Sequence, residues 1–140
     1  MLRCTPFLLF DGNCAEAMRF YHGCLGGSLV LTKLGDTPMK DQFPAEKHER
    51  IINGILKSGL IEISASDWMA APAFQPVLGN MSALFVNGTD GAELKTVFNK
   101  LAVGAERAHF QELHAMPFGS YGQFYDQYGV QWIFVGDATQ

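Results

Sequence analysis

Apolar positions along this chain form one pattern written twice. Ala17, Phe20, Tyr21 and Cys24 recur at i, i+3, i+4 and i+7, the spacing that lines up one face of an α-helix. Leu94, Val97, Phe98 and Leu101 repeat that spacing 77 residues later. Asn13 stands three residues before Glu16, and Asp90 three before Glu93. Each pair has the geometry of a helix N-cap with a carboxylate on the first turn. Gly26 and Gly27 end the first pattern and Gly104 the second, as left-handed positions after a helix favour glycine. In this reading Cys24 is core, His22 faces solvent, and Cys14 lies in the first turn, where the helix dipole acts on its thiol.

Strand patterns surround both helices. TPFLLF and SALFVN each run into a turn, DGN and GTD, directly before a helix. After the helices come SLVLTKL and RIINGILK in the first half, and RAHFQEL and SYGQFYD in the second. A final pair, KSGLIEIS (57–64) and QYGVQWIF (127–134), matches at an offset of 70, each entering its strand through a glycine turn. The result is an α+β chain of two tandem β-α-β-β-β modules in a single domain, 1–140. Module one covers about 4–66 and module two about 81–136, with a bridge at 67–80. Residues 35–49 are polar and without period, a surface loop with one helical turn from Pro44. The bridge is too apolar for a solvated link: Trp68, Met69, Phe74, Val77 and Leu78 predict a covered surface. A homodimer is the expected cover.

Composition narrows the function. At 140 residues, 48% of them apolar, the chain can fill one core. Ten basic and fourteen acidic residues give a net charge of −4, and no Lys/Arg run tracks a phosphate backbone, so nucleic acid is not an expected partner. No segment has the apolar length of a membrane span or a secretory core, which predicts a soluble cytoplasmic protein. The three cysteines form no C-x-x-C pair and set up no disulfide framework. The four histidines, His22, His48, His109 and His114, make no metal-binding pair at helical spacing. No Gly-rich strand-to-helix turn with a spaced acidic residue seats a nucleotide-type cofactor, and no cofactor is expected.

The duplicated module resembles the glyoxalase/bleomycin-resistance superfamily, also called vicinal oxygen chelate (VOC). The runs PFLLFDGNCAEAMRFYHGCLGG, RIINGILKSGLIEISASD and YGQFYDQYGVQWIF are similar to its PhnB-like, or demethylubiquinone methyltransferase-like, branch. The resemblance implies sheets curled into half-barrels, a ligand pocket in the concavity and commonly a homodimer. It also implies, for metal-using members, ligands on the first and last strands of both modules. The offsets assign those positions to Cys4 or Thr5, Met81 or Ser82, Glu62 or Ile63, and Trp132 or Ile133. One carboxylate and one thiol do not make a divalent-metal site. Asn53 stands where relatives often carry His, and Met116-Pro117 where many carry Phe-Trp.

Five residues are candidate ligand contacts. Glu62 lies in an apolar strand and must be paired, solvated at a pocket, or protonated. Trp132 is either a ring facing Glu62 across the pseudo-twofold or a core tryptophan. Asn53 either orients a ligand or satisfies a bulged backbone beside Gly54. Phe118 and Tyr121 flank a Gly-rich loop, FGSYG, which either closes over a small molecule or is a plain turn. No catalytic residue is assignable; His109 and His114 lack an identifiable nucleophile or orienting carboxylate. The expected function is metal-independent binding of a small molecule in the sheet concavity. The alternative is an enzyme, a metal-dependent lyase, isomerase or transferase of the vicinal oxygen chelate type.

Overall fold

Both predicted helices form, and each holds its apolar face against its own sheet. A computed structural model describes residues 1–69 and 76–137; Phe74 of the bridge lies outside them. The chain divides into two compact units, Met1–Val77 and Leu78–Gln140. The first contains β1 (Phe7–Phe10), α1 (Cys14–Leu25), β2 (Ser28–Lys33), β3 (Ile51–Ser58) and β4 (Ile61–Asp67). The second contains β5 (Leu84–Gly88), α2 (Gly91–Leu101), β6 (Gln111–Met116), β7 (Gly119–Tyr125) and β8 (Gln131–Asp137). Strand order is β1-β4-β3-β2 in one sheet and β5-β8-β7-β6 in the other. In both, the first strand pairs parallel to the last and the remaining pairs are antiparallel. The expected β-α-β-β-β order therefore holds in both units. Residues 35–49 lie among three short 3₁₀ turns, Leu34–Asp36, Pro38–Gln42 and Ala45–Lys47, the last capped by Pro44.

Helix α1 buries Cys14, Ala17, Met18, Tyr21 and Cys24, so Met18 takes the buried place expected of the half-buried Phe20. Helix α2 buries Leu94, Phe98 and Leu101. Phe98 sits edge-on to Phe124 and Phe134, with ring centroids 5.0 and 5.1 Å away. These apolar faces are the main favourable term holding helix to sheet. Gly122 on β7 makes room for this contact: a Cβ there would lie 2.7 Å from the Phe98 ring.

The two helices begin differently. The Asp90 side chain caps α2, accepting from Ala92 N–H at 3.0 Å and Glu93 N–H at 3.2 Å, as the sequence predicts. Asn13 occupies the N-cap position of α1 without a side-chain capping bond. Asp67, at the end of β4, takes that role. Its Oδ1 accepts from the N–H groups of Gly12 at 2.8 Å and Cys14 at 3.0 Å, and its Oδ2 from Ile51 N–H at 2.9 Å. A carboxylate at a helix N-terminus also complements the dipole. The Cys14 thiol is correspondingly not activated. Burial first, and the nearby Asp67 charge second, push it from an ordinary 9.0 up to about 12, outweighing the dipole.

Strand boundaries bring two further corrections. RAHF is not a strand: residues 107–110 turn, Arg107 lies 4.4 Å over the Phe110 ring, and Phe110 stacks on Phe124. FGSYG is not a loop, because β7 already starts at Gly119 and only Pro117 and Phe118 separate it from Met116.

Replacing Asp67 with Ala leaves three N–H groups without their acceptor, those of Cys14 and Ile51 buried and that of Gly12 partly so, and should lower unfolding stability by about 2–5 kcal/mol in denaturant titrations. A loss below about 1 kcal/mol would contradict the capping role. The Cys14 thiol makes a second prediction. Unfolded, it ionises near 9, and folded, near 12, so above pH 9 the unfolded state sheds its proton first. The stability this group contributes is complete below about pH 9 and declines as pH rises towards 12. Denaturation midpoints should fall more between about pH 8 and about pH 10.5 for the wild type than for Cys14→Ala.

Candidate functional site

Strands bury alternate residues, so each sheet has a helix side and an open side. In the first unit Leu56, Ile63, Ala65 and Asp67 are buried on the helix side. The register aligns Phe7, Ser64, Ile55 and Val30 in one row across the open side. Phe7 and Val30 are 58% and 61% exposed, the ends of a row across all four strands that is apolar except at Ser64. Glu62 stands one pair beyond this row, opposite Lys57, and Asn53 lies on its other side, opposite Thr32. Both candidates thus share the open side, four residues or about 13 Å apart along the strands.

The Glu62 carboxylate is paired with Arg3 from the segment before β1. This is a partly exposed ion pair of the kind that contributes at most about 1 kcal/mol. Asn53 is exposed beside a register shift in which Ile52 is the extra residue, so the bulge lies on the opposite flank of Asn53 from Gly54.

In the second unit Phe124, Trp132, Phe134 and Gly136 are buried. Two rows cross the open side: Phe85, Ile133, Gln123 and Gln111, then Asn87, Val135, Tyr121 and His114. The Tyr121 hydroxyl donates to Gln123 Oε1 at 2.6 Å. Phe118 stands edge-on to Tyr121 at 6.4 Å between ring centroids, and His114 does so at 6.2 Å. Phe118 and Tyr121 are therefore brought together, on a hairpin rather than a lid.

Trp132 joins the core, not the open side. It is 1% exposed, and its indole N–H donates to Asp126 Oδ2 at 2.9 Å. Asp126 Oδ1 accepts from Tyr128 and Val130 N–H, at 2.8 and 3.0 Å, which shapes the link between β7 and β8. The expected opposition of Glu62 and Trp132 fails because the offset of 70 is wrong by one in the strands. Buried Ile63, Ala65 and Asp67 correspond to buried Trp132, Phe134 and Gly136, an offset of 69. Glu62 therefore corresponds to Gln131. In the first strands the offset is 78, matching Leu8 and Phe10 to Val86 and Gly88. The link into α1 holds Asp11, Gly12 and Asn13, and that into α2 only Thr89 and Asp90. A slip of one residue moves every side chain to the opposite face.

With this register, the first and last strands present Phe7, Leu9, Glu62, Ser64 and Ser66 on the open side of the first unit. Those of the second present Phe85, Asn87, Gln131, Ile133 and Val135, with Asp137 at the strand end. Among the described residues no three His, Cys, Asp or Glu gather where they could hold a metal ion. A divalent ion of the superfamily type needs several imidazole or carboxylate donors, and these positions do not fit it. Asn87 and Gln123 are open-side polar groups that the sequence analysis missed. The period-2 alternation of YGQFY, with Tyr121 and Gln123 on one face, was the available signal.

The profile of the family described as 3-demethylubiquinone-9 3-methyltransferase matches residues 2–135. The chain belongs to this family. Protein YjdN of Escherichia coli (strain K12) is 27% identical over 137 residues, covering 92% of this chain and 91% of YjdN. The crystal structure of PA1353 from Pseudomonas aeruginosa superposes with a TM-score of 0.82 at 31% identity, over 98% of both chains. A glyoxylase/bleomycin resistance protein/dioxygenase domain from Frankia sp. EAN1pec, 17% identical, has a TM-score of 0.63 over 98% of both chains. That likeness is one of fold alone, and the family member described here has the glyoxalase/bleomycin-resistance-like fold.

Moving Trp132 from candidate contact to core has a direct test. Trp132→Phe removes the donor to Asp126 and should cost about 1–3 kcal/mol of stability in urea titrations, with retention of any copurified small molecule unchanged. Loss of that molecule at unchanged stability would return Trp132 to the binding site.

Proposed function

We propose that this protein binds a small, largely apolar molecule with a polar handle on the open sides of its sheets, without a resident divalent metal. The carrying observation is the composition of those sides. Rows that begin at exposed Phe7, Val30 and Phe85 include the neutral hydrogen-bonding groups Ser64 and Gln123 and have Asn53 and Asn87 next to them. Binding surfaces for small molecules combine such apolar area with a few polar groups that fix orientation. In this reading Asn53 and Glu62 are the contacts that the first unit offers, and Phe118 and Tyr121 those that the second unit offers.

The methyltransferase wording of the family's description finds little support in the strand-to-helix links. Each is short, and N–H groups at each helix start that could receive an anionic cofactor group are already bonded, those of Gly12 and Cys14 to Asp67 and those of Ala92 and Glu93 to Asp90. A homodimer belongs to the proposal, because Val77, Leu78 and Met81 are 89%, 76% and 97% exposed, an apolar stretch that a second copy would cover. No helix among the described residues is long and apolar enough to cross a membrane.

Native mass spectrometry of the purified, unsupplemented protein tests these points together. The expected spectrum is a dimer carrying a small organic molecule and no stoichiometric divalent ion. Glu62→Gln should weaken retention of that molecule. About one metal per chain, lost in Glu62→Gln, would instead favour the metal-dependent enzyme.

A further inference from the structure

Strand β6 contains an irregularity with a chemical consequence. Gln111 pairs with Gln123 and His114 with Tyr121, so three residue steps on β6 oppose two on β7. This is a β-bulge, a device that re-aims a side chain. Leu113 backbone atoms come so close to Gly122 that a Cβ there would lie 3.1 Å from them. Within the bulge the Glu112 carbonyl oxygen lies 2.6 Å from His114 Nδ1. A carbonyl can only accept, so Nδ1 must carry the proton. In the neutral ring the other nitrogen, Nε2, then holds a lone pair.

The surroundings of that ring indicate what it meets. His114 is exposed on the open side, edge-on to Tyr121, which is in turn edge-on to the half-exposed Phe118. Because the Tyr121 hydroxyl proton is committed to Gln123 Oε1, the phenol oxygen remains an acceptor and the Gln123 NH₂ a donor. Two acceptors and one amide donor beside aromatic rings complement a planar ligand that brings its own hydroxyl proton.

We propose that His114, fixed by the β6 bulge as the Nδ1–H tautomer, is a specificity-determining residue. Its Nε2 accepts the hydroxyl proton of a phenol-type ligand held against Tyr121 and Phe118. This rests on the reading of the protein as a small-molecule binder and gives that ligand a chemical class. A site built to accept a hydroxyl proton discriminates against the same molecule without it, since the acceptor is then left unpaired.

Two measurements on the full chain test it. Long-range ¹H–¹⁵N spectra at a pH where the ring is neutral should show His114, assigned by its loss in His114→Phe, as the Nδ1–H tautomer. Titration with 4-ethylphenol and with its methyl ether, 4-ethylanisole, should give about five- to tenfold tighter binding of the phenol. That preference should fall below about twofold in His114→Phe. Equal affinity of the wild type for both probes overturns the His114 assignment while leaving the binder reading in place. So does a preference that survives in His114→Phe, or an Nε2–H tautomer. Failure of both probes to bind at millimolar concentration overturns the phenol proposal, and the copurification experiment then decides the binder reading separately.

Discussion

One buried carboxylate ties together the local structure of the first unit. Asp67 accepts N–H bonds from the β1-to-α1 link, from the first turn of α1 and from the first residue of β3. A charged group so buried is tolerated because its oxygens are satisfied, and removing it would orphan its donors together. Its neighbours extend the same junction. Arg50 donates to Asp11 Oδ1 and to the Trp68 carbonyl, both at 2.7 Å, and Trp68 N–H donates to the Phe10 carbonyl at 2.6 Å. The helix start, the first strand and the exit from the last strand are thereby fixed to one another, and the open side keeps one register.

The second unit reaches the same β-α-β-β-β arrangement by local means. Asp90 caps its own helix, and the interior carboxylate, Asp126, serves the link into β8 and the Trp132 indole. A longer link between β7 and β8 and a shorter one before α2 have shifted the strand correspondence without disturbing the helices. The helices tolerate no such slip, because Tyr21 and Phe98, Cys24 and Leu101 must each meet the sheet. The links can absorb insertions because their backbone groups are bonded within the turn or to a nearby carboxylate.

The two open sides differ more than their common fold suggests. That of the first unit runs from the Arg3–Glu62 ion pair to a row apolar except at Ser64 and then to Asn53, while that of the second gathers Phe118, Tyr121, Gln123 and His114 at one hairpin. A duplicated scaffold thus presents two chemically distinct surfaces, and function resides in those surfaces rather than in the fold.

The sequence by itself determined both helices and most of their buried faces, the Asp90 cap, the β-α-β-β-β element order and the core place of Cys24. These follow from periodicities and caps that act within a few residues of chain. It also brought Asn53, Glu62, Phe118 and Tyr121 forward as polar or aromatic residues in otherwise apolar or Gly-rich runs. Only the tertiary structure decided which face each strand residue occupies, because that parity depends on link lengths and on pairing with strands up to 57 residues away, as between Phe7 and Ser64. For that reason Trp132 went inward and Gln131 took the position that corresponds to Glu62. The cap on α1 was equally hidden, since Asp67 lies 53 residues from Cys14. So was the bulge that fixes the His114 ring, which arises from a mismatch between two strands and leaves no mark on either one alone.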